Sequence, residues 1–139
     1  MKTRLAFAIA FALALALAVA APTLVACAKT SPSTASSAPT LTAELLKSAV
    51  VVDVRTAGEH ASGHLQGDHN IPVEEVEARL AEFDALTKGN KNAVVVVYCA
   101  SGRRSARTKG MLEQAGYTGV VDAGGFSVVA ARFPELRAQ

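Results

Sequence analysis

The sequence predicts a three-layer α/β domain, with a mostly parallel central sheet and helices on both faces. Two valine-rich runs, residues 49–55 and 93–99, have the composition of strands that are covered on both sides. Segments with apolar residues at helical spacing precede, separate and follow these runs, and short turn sequences join them. Strands that alternate with helices over short links form parallel sheets with helices on both faces.

Two short helices are predicted around the first strand. Thr42 can cap a helix over residues 43–48, because its hydroxyl can accept a hydrogen bond from the first helical turn. Thr56 and Glu59 form a T-x-x-E capping box, which predicts a second helix that Gly63 can end.

A third helix is expected to begin at Pro72, because Val73, Val76 and Leu80 recur at helical spacing after it. Glycine and asparagine then mark a turn before the second strand. The last part of the chain predicts a helix that stops at Gly116, then a short strand, a glycine turn and a final amphipathic helix.

The amino terminus predicts export. Lys2 and Arg4 precede an apolar segment, residues 5–21, in the order found in export signals. The motif LVAC at residues 24–27 resembles the bacterial lipobox, which implies that Cys27 is the first mature residue and carries lipid. Two alternatives remain: an uncleaved membrane anchor, or ordinary cleavage after the AVA sequence that leaves Cys27 as a free thiol.

This signal sets the expected domain organisation. Residues 1–26 are expected to form a signal peptide with its lipobox, residues 27–39 a flexible tether, and residues 40–139 the folded domain. The tether is small, polar and aperiodic, so it cannot bury enough surface to become ordered. We expect a monomer, anchored to a bacterial membrane by lipid on Cys27 and facing the periplasm or the extracellular side.

Charge and composition argue against nucleic acid as a partner. Without Lys2 and Arg4, twelve of the 14 lysines and arginines remain against 12 acidic residues, so the mature chain is not basic. Tryptophan is absent and only 5% of the residues are aromatic, which leaves no platform on which bases could stack.

Cys99 is the strongest candidate for a functional residue. A cysteine at the end of an apolar strand often serves only in packing. In residues 100–104, however, the chain turns from strand into helix, and Gly102 permits a turn whose amides can surround an anion. The start of the next helix and the charges of Arg103 and Arg104 add positive potential. Such surroundings stabilise a thiolate, and Cys99 lies at the strand end where parallel sheets bind ligands.

The loop CASGRRS, residues 99–105, matches the C-x-x-G-x-R-S active loop of the rhodanese family. The upstream sequence VVDVRTAGEHASGHLQGDHNIP resembles the D-V-R…E…G-H…N-I-P signature of the same family. The sequence LEQAGYTGVVDAGGFS resembles its closing segment. The resemblance covers residues 40 to about 134 in the order and spacing of the family, and it implies a rhodanese-like fold.

The resemblance also implies a sulfurtransferase without a cofactor. Cys99 is expected to accept a sulfane sulfur from a small anionic donor such as thiosulfate, and to pass it from a persulfide to a thiol or to cyanide. The residues expected to bind the donor are Ala100, Ser101, Gly102, Arg103 and Arg104, of which Arg104 attracts the negative charge. The residues expected to support the site are Asp53, Arg55, Glu59 and His64, with Arg55 and Glu59 forming an exposed pair.

The three histidines do not predict a metal site. His60, His64 and His69 lie near Glu59 in the sequence, but their spacing matches no accepted metal motif. Gly63 is expected to break the helix before His64, which removes the helix face that two ligands would share.

Two other functions fit parts of the pattern. A cysteine-based phosphatase uses C-x5-R, but here Ser105 occupies the sixth position after Cys99 and Arg104 comes one residue early. The shorter loop suits a sulfur-sized group better than a phosphate. A persulfide carrier that serves one partner has the same residues as the enzyme. Val128 and Val129 stand where the family commonly has a tryptophan, which bears on specificity more than on catalysis.

Overall fold

The computed structural model describes residues 39–139. The signal peptide and the lipid on Cys27 lie outside the described residues, as does the tether apart from its last residue, and they stay predictions. The elements in chain order are α1 (Ala43–Ser48), β1 (Val50–Asp53), α2 (Ala57–Ala61), β2 (His64–Leu65), β3 (His69–Asn70), α3 (Leu80–Leu86), β4 (Val95–Cys99), α4 (Arg103–Gln114), β5 (Val120–Gly125), α5 (Phe126–Arg132), a 3-10 helix (Pro134–Leu136) and β6 (Arg137–Ala138).

The central sheet has four parallel strands in the order β3-β1-β4-β5. The two valine-rich runs form its centre, with Val52 paired with Val97 across β1 and β4. A separate antiparallel pair, β2 with β6, brings the carboxyl terminus back to the segment after α2. The predicted mostly parallel sheet is therefore confirmed.

Helices cover both faces of this sheet, as predicted. Successive side chains of a strand point to opposite faces of the sheet, so β1 and β4 contribute residues to both faces. On one face the strands pack against Phe83 of α3 and Leu112 of α4. On the other they pack against Leu46 of α1 and Val129 of α5.

The predicted helix caps are present. The Thr42 hydroxyl accepts from Leu45 N at 3.1 Å at the start of α1. At the start of α2, Glu59 N donates to the Thr56 hydroxyl at 3.3 Å, and Thr56 N donates to the Glu59 carboxylate at 3.0 Å. This reciprocal capping box satisfies two amides that the short helix would otherwise leave without partners.

The prediction that α3 begins at Pro72 was wrong, since residues 73–79 form turns and α3 begins at Leu80. Val73 and Val76 are buried, so their spacing reflects two positions that face the core and does not indicate a helix. At the start of this segment the chain is held beside the end of β1, where Val73 N donates to Val54 O at 3.2 Å. Within residues 39–139, no helix has the length and apolar character needed to cross a membrane.

Candidate active site

Cys99 is the last residue of β4, and its side chain is buried against the α3 and α4 face of the sheet. The chain then turns through residues 100–102 and enters α4 at Arg103. Gly102 N donates to Cys99 Sγ at 3.1 Å, so the sulfur is held within its own loop. The thiol thus lies next to the amino terminus of a twelve-residue helix, whose free N–H groups favour negative charge.

Two glycines give the loop its shape. Gly102 has a φ of +94°, a conformation that residues with a side chain rarely adopt. Gly125, at the end of β5, lies against the loop so closely that a Cβ there would be 2.8 Å from Ala100 O. Because Gly125 has no side chain, the end of β5 can pack directly against the loop. From the sequence, the paired glycines had indicated only a turn.

The pKa of the Cys99 thiol lies below its ordinary value. Burial raises this pKa, but the polar surroundings of the sulfur, the Ser105 hydroxyl and the amides of Ser105, Ser101 and Gly102, lower it by more because they favour the thiolate. The Ser105 hydroxyl has one proton, which it donates to Gly102 O at 2.9 Å, so it reaches the sulfur only after rotating. Sequence reasoning gave Ser105 no role, although it is the last residue of the C-x-x-G-x-R-S motif.

Arg104 is already paired with an acid. Its Nη1 and Nη2 donate to the two oxygens of Glu59 at 2.8 and 2.7 Å. This contact is the main cause that lowers the pKa of Glu59 to about 2, so the carboxylate stays ionised at neutral pH. The charge expected to attract a donor is therefore shared with Glu59, whereas Arg103 is exposed at the start of α4.

The expected pair between Arg55 and Glu59 does not form. Arg55 donates instead to the fully buried Asp53, through its backbone N at 2.9 Å and its Nη2 at 2.6 Å. Arg55 also donates to Gly63 O at 2.7 Å and lies 4.3 Å from the centre of the Phe126 ring. This pair is buried rather than exposed, and Arg55 joins β1 to the turn after α2 and to the start of α5.

Asn70 is a supporting residue that the sequence reasoning did not single out. Its Nδ2 donates to Asp53 O at 3.0 Å and to Arg55 O at 2.9 Å, which fixes the chain as it leaves β1. The available signal was the N-I-P part of the family signature, in which this asparagine comes first.

The helix ends before His64, as expected, so His60 and His64 share no helix face, but their side chains still meet. The turn after α2 folds back, so that the two rings stack with their centroids 4.1 Å apart. His64 begins β2 and pairs with Ala138 of β6, whereas His69 is exposed on β3. His64 was predicted to support the Cys99 site, but it lies with His60 in a separate cluster.

Comparisons with known proteins agree with this architecture. Residues 37–131 match the family described as the rhodanese-like domain. Thiosulfate sulfurtransferase PspE of Escherichia coli K12 is 40% identical over 79 residues, which cover 57% of this chain and 72% of the relative. The human protein named thiosulfate:glutathione sulfurtransferase is 36% identical over 75 residues, covering 48% of this chain and 65% of the relative.

A solved structure described as a rhodanese with anions from E. coli is 40% identical and superposes with a TM-score of 0.51. The superposition covers 56% of this chain and 87% of the chain in that structure. The matched residues include β1, the Cys99 loop and β5, which are the elements that build the site. The chain therefore belongs to the family of rhodanese-like domains.

Proposed function

We propose that this protein is a sulfurtransferase in which Cys99 carries the sulfur as a persulfide. The observation that carries the proposal is the Cys99 loop, where an amide donates to Sγ at 3.1 Å and the thiol pKa is lowered. The coarse activity has independent support, because similar family members are named thiosulfate sulfurtransferases. The donor, the acceptor and the roles of single residues belong to the proposal.

The proposed reaction has two displacements at sulfur. The Cys99 thiolate attacks the outer sulfur of thiosulfate; the bond between the two sulfur atoms of the donor breaks, and sulfite leaves with the electron pair. A thiolate or cyanide then attacks the terminal sulfur of the persulfide, and the Cys99 thiolate leaves with the electrons of that bond. The loop amides of Ala100, Ser101 and Gly102 and the start of α4 favour the anionic sulfur in both states.

Incubating the full-length protein with thiosulfate and no acceptor is expected to add the mass of one sulfur atom to the peptide that contains Cys99. Cyanide should then remove it and yield thiocyanate over many turnovers. Intact mass, peptide mapping and a thiocyanate assay measure these steps. A persulfide that no small acceptor discharges would favour the carrier, and hydrolysis of an aryl phosphate without a persulfide would favour the phosphatase.

Arg104 is proposed to bind the anionic donor while it stays in contact with Glu59. Arg104→Ala is expected to lower kcat/KM for thiosulfate roughly 10- to 100-fold, since a charge-assisted contact contributes about 1.5–3 kcal/mol. The loss should lie mainly in KM if the contact serves ground-state binding. Alkylation of Cys99 by a neutral reagent should change little, because the loop amides are backbone groups.

A second variant separates two causes of this loss. In Arg104→Ala, the Glu59 carboxylate stays behind without its cation and repels the donor. Adding Glu59→Gln removes that repulsion, so the double variant should regain part of the thiosulfate activity. If alkylation and turnover instead collapse together in Arg104→Ala, Arg104 shapes the loop and does not bind the donor.

Export and attachment of lipid at Cys27 complete the proposal. They are supported by the basic start, the apolar segment 5–21 and the lipobox-like LVAC sequence. The mature protein should begin at Cys27, carry lipid there and partition into membranes of a bacterial host, on the periplasmic or extracellular side. Mass spectrometry that finds an unmodified chain beginning at Ala21 would remove the lipid anchor from this proposal.

A further inference from the structure

A second cluster of reactive side chains lies beside α2. His60 near the end of α2, His64 at the start of β2 and Asp68 after β2 each offer one ligand atom, and these atoms lie within 4.8 Å of one another. The two imidazole rings stack with an interplanar angle of 20°. Two imidazoles and a carboxylate form a donor set that suits zinc and similar divalent ions.

The carboxylate of Asp68 is held in place from behind. Its Oδ2 accepts from the Tyr98 hydroxyl and, at 3.4 Å, from Leu65 N. Its Oδ1 is within hydrogen-bond distance of His60 Nε2, at 3.1 Å, a contact that a bound ion would replace, and only 1% of the side chain is exposed. Carboxylates that bind a metal are typically held by hydrogen bonds of this kind, and here they fix one oxygen while the other lies beside an imidazole.

His64 supplies an independent observation. Its Nδ1 is buried, and within residues 39–139 no hydrogen-bond partner reaches it. A buried polar atom without a hydrogen-bond partner destabilises the folded state. An ion bound to the His64 ring would interact with it electrostatically and fix its orientation. Stacking against His60 contributes contact area but leaves the unpartnered nitrogen unexplained.

We propose that His60, His64 and Asp68 bind a divalent transition-metal ion, with Zn²⁺ as the reference ion. Three protein ligands leave a fourth position for water. The rings have to rotate away from their nearly parallel stack so that their lone pairs converge on one ion. The His60 side chain is 24% exposed and can make that rotation. The ion would tie the end of α2 to β2.

This site is separate from the sulfur chemistry. The ion would bind α2 at His60, whereas the neighbouring Glu59 contacts Arg104 beside the Cys99 loop. Zinc also binds thiolates, so a test has to remove both cysteines. The protein for the measurement is therefore the full-length chain with Cys27→Ser and Cys99→Ser, stripped of metal and kept in detergent.

Titration of this protein with Zn²⁺ alone, by calorimetry and by competition with a coloured chelator, is expected to show one bound ion per chain. His60→Ala and His64→Ala should each lower the affinity by at least about 100-fold, because losing a ligand costs more than the roughly 10- to 100-fold typical of losing its supporting partner. Tyr98→Phe should cost about 10- to 100-fold and keep the same stoichiometry. Co²⁺ should give visible absorption bands that His64→Ala removes.

His69→Ala is the matched control, because His69 is exposed on β3 and lies outside the cluster. It should keep the full affinity. Circular dichroism on each variant shows whether the fold is intact, and His60→Ala, at a partly exposed helix end, should keep it. Absence of stoichiometric binding, or equal affinity in the parent and in folded His60→Ala, would overturn the proposal.

Discussion

Replacing Cys99 by serine is expected to abolish sulfur transfer while the fold stays nearly unchanged. A hydroxyl is not ionised at neutral pH, so serine offers no thiolate to attack the donor and forms no persulfide. The serine oxygen is smaller than sulfur, but it occupies the same position on Cβ and can still accept from Gly102 N, which donates to Sγ in the structure. The free energy of unfolding should therefore fall by only about 1 kcal/mol.

Thiocyanate formation and intact mass after thiosulfate measure this effect, and urea unfolding measures the stability. Cys27→Ser is the matched control, since it removes the other cysteine of the chain and should keep full transfer by the detergent-solubilised protein. If Cys99→Ser retained transfer, the proposed nucleophile would be wrong. If it lost activity only by unfolding, Cys99 would be a packing residue.

The direction of the shift in the pKa of Cys99 can be measured in the parent protein. Because hydrogen bonds favour the thiolate, more of the thiol is ionised at a given pH than in a free cysteine. The rate of alkylation by a neutral reagent should rise with pH and reach half its maximum below the roughly 8.5 of a free thiol.

Asp53→Ala is expected to lower the free energy of unfolding by about 3–5 kcal/mol, because it leaves a buried guanidinium without its counter-charge. Asp53 is fully buried, and the Arg55 side chain is only 6% exposed. Arg55 donates three hydrogen bonds from its backbone N, Nε and Nη2 to this carboxylate. Urea unfolding followed by circular dichroism measures the loss.

Glu75→Ala provides the matched control, because it also removes the acid of an arginine–carboxylate pair. In that pair the Arg79 and Glu75 side chains are 32% and 54% exposed, so the expected loss is at most about 1 kcal/mol. The double variant Asp53→Ala and Arg55→Met should lose less stability than Asp53→Ala, since no buried charge remains. Equal losses in Asp53→Ala and Glu75→Ala would contradict a special role for burial.

The sequence by itself determined the fold class, the two central strands and the Cys99 loop. Each rests on local chemistry: valine runs for covered strands, a threonine and a glutamate for the capping box of α2, and a glycine for the turn after Cys99. These signals depend on the conformational preferences and hydrogen bonds of neighbouring residues, so they can be read without knowing where the rest of the chain lies.

Tertiary structure alone decided the partners of the charged residues and the surroundings of the site. Glu59 could pair with Arg55, four residues away, but it pairs with Arg104, 45 residues away, because Arg55 is held by the buried Asp53. The approach of Gly125 to the loop and the meeting of His60 with His64 also depend on how the elements pack. Side chains form hydrogen bonds and ion pairs with groups that lie close to them in space. Those distances are set only when the sheet, its helices and their turns are assembled.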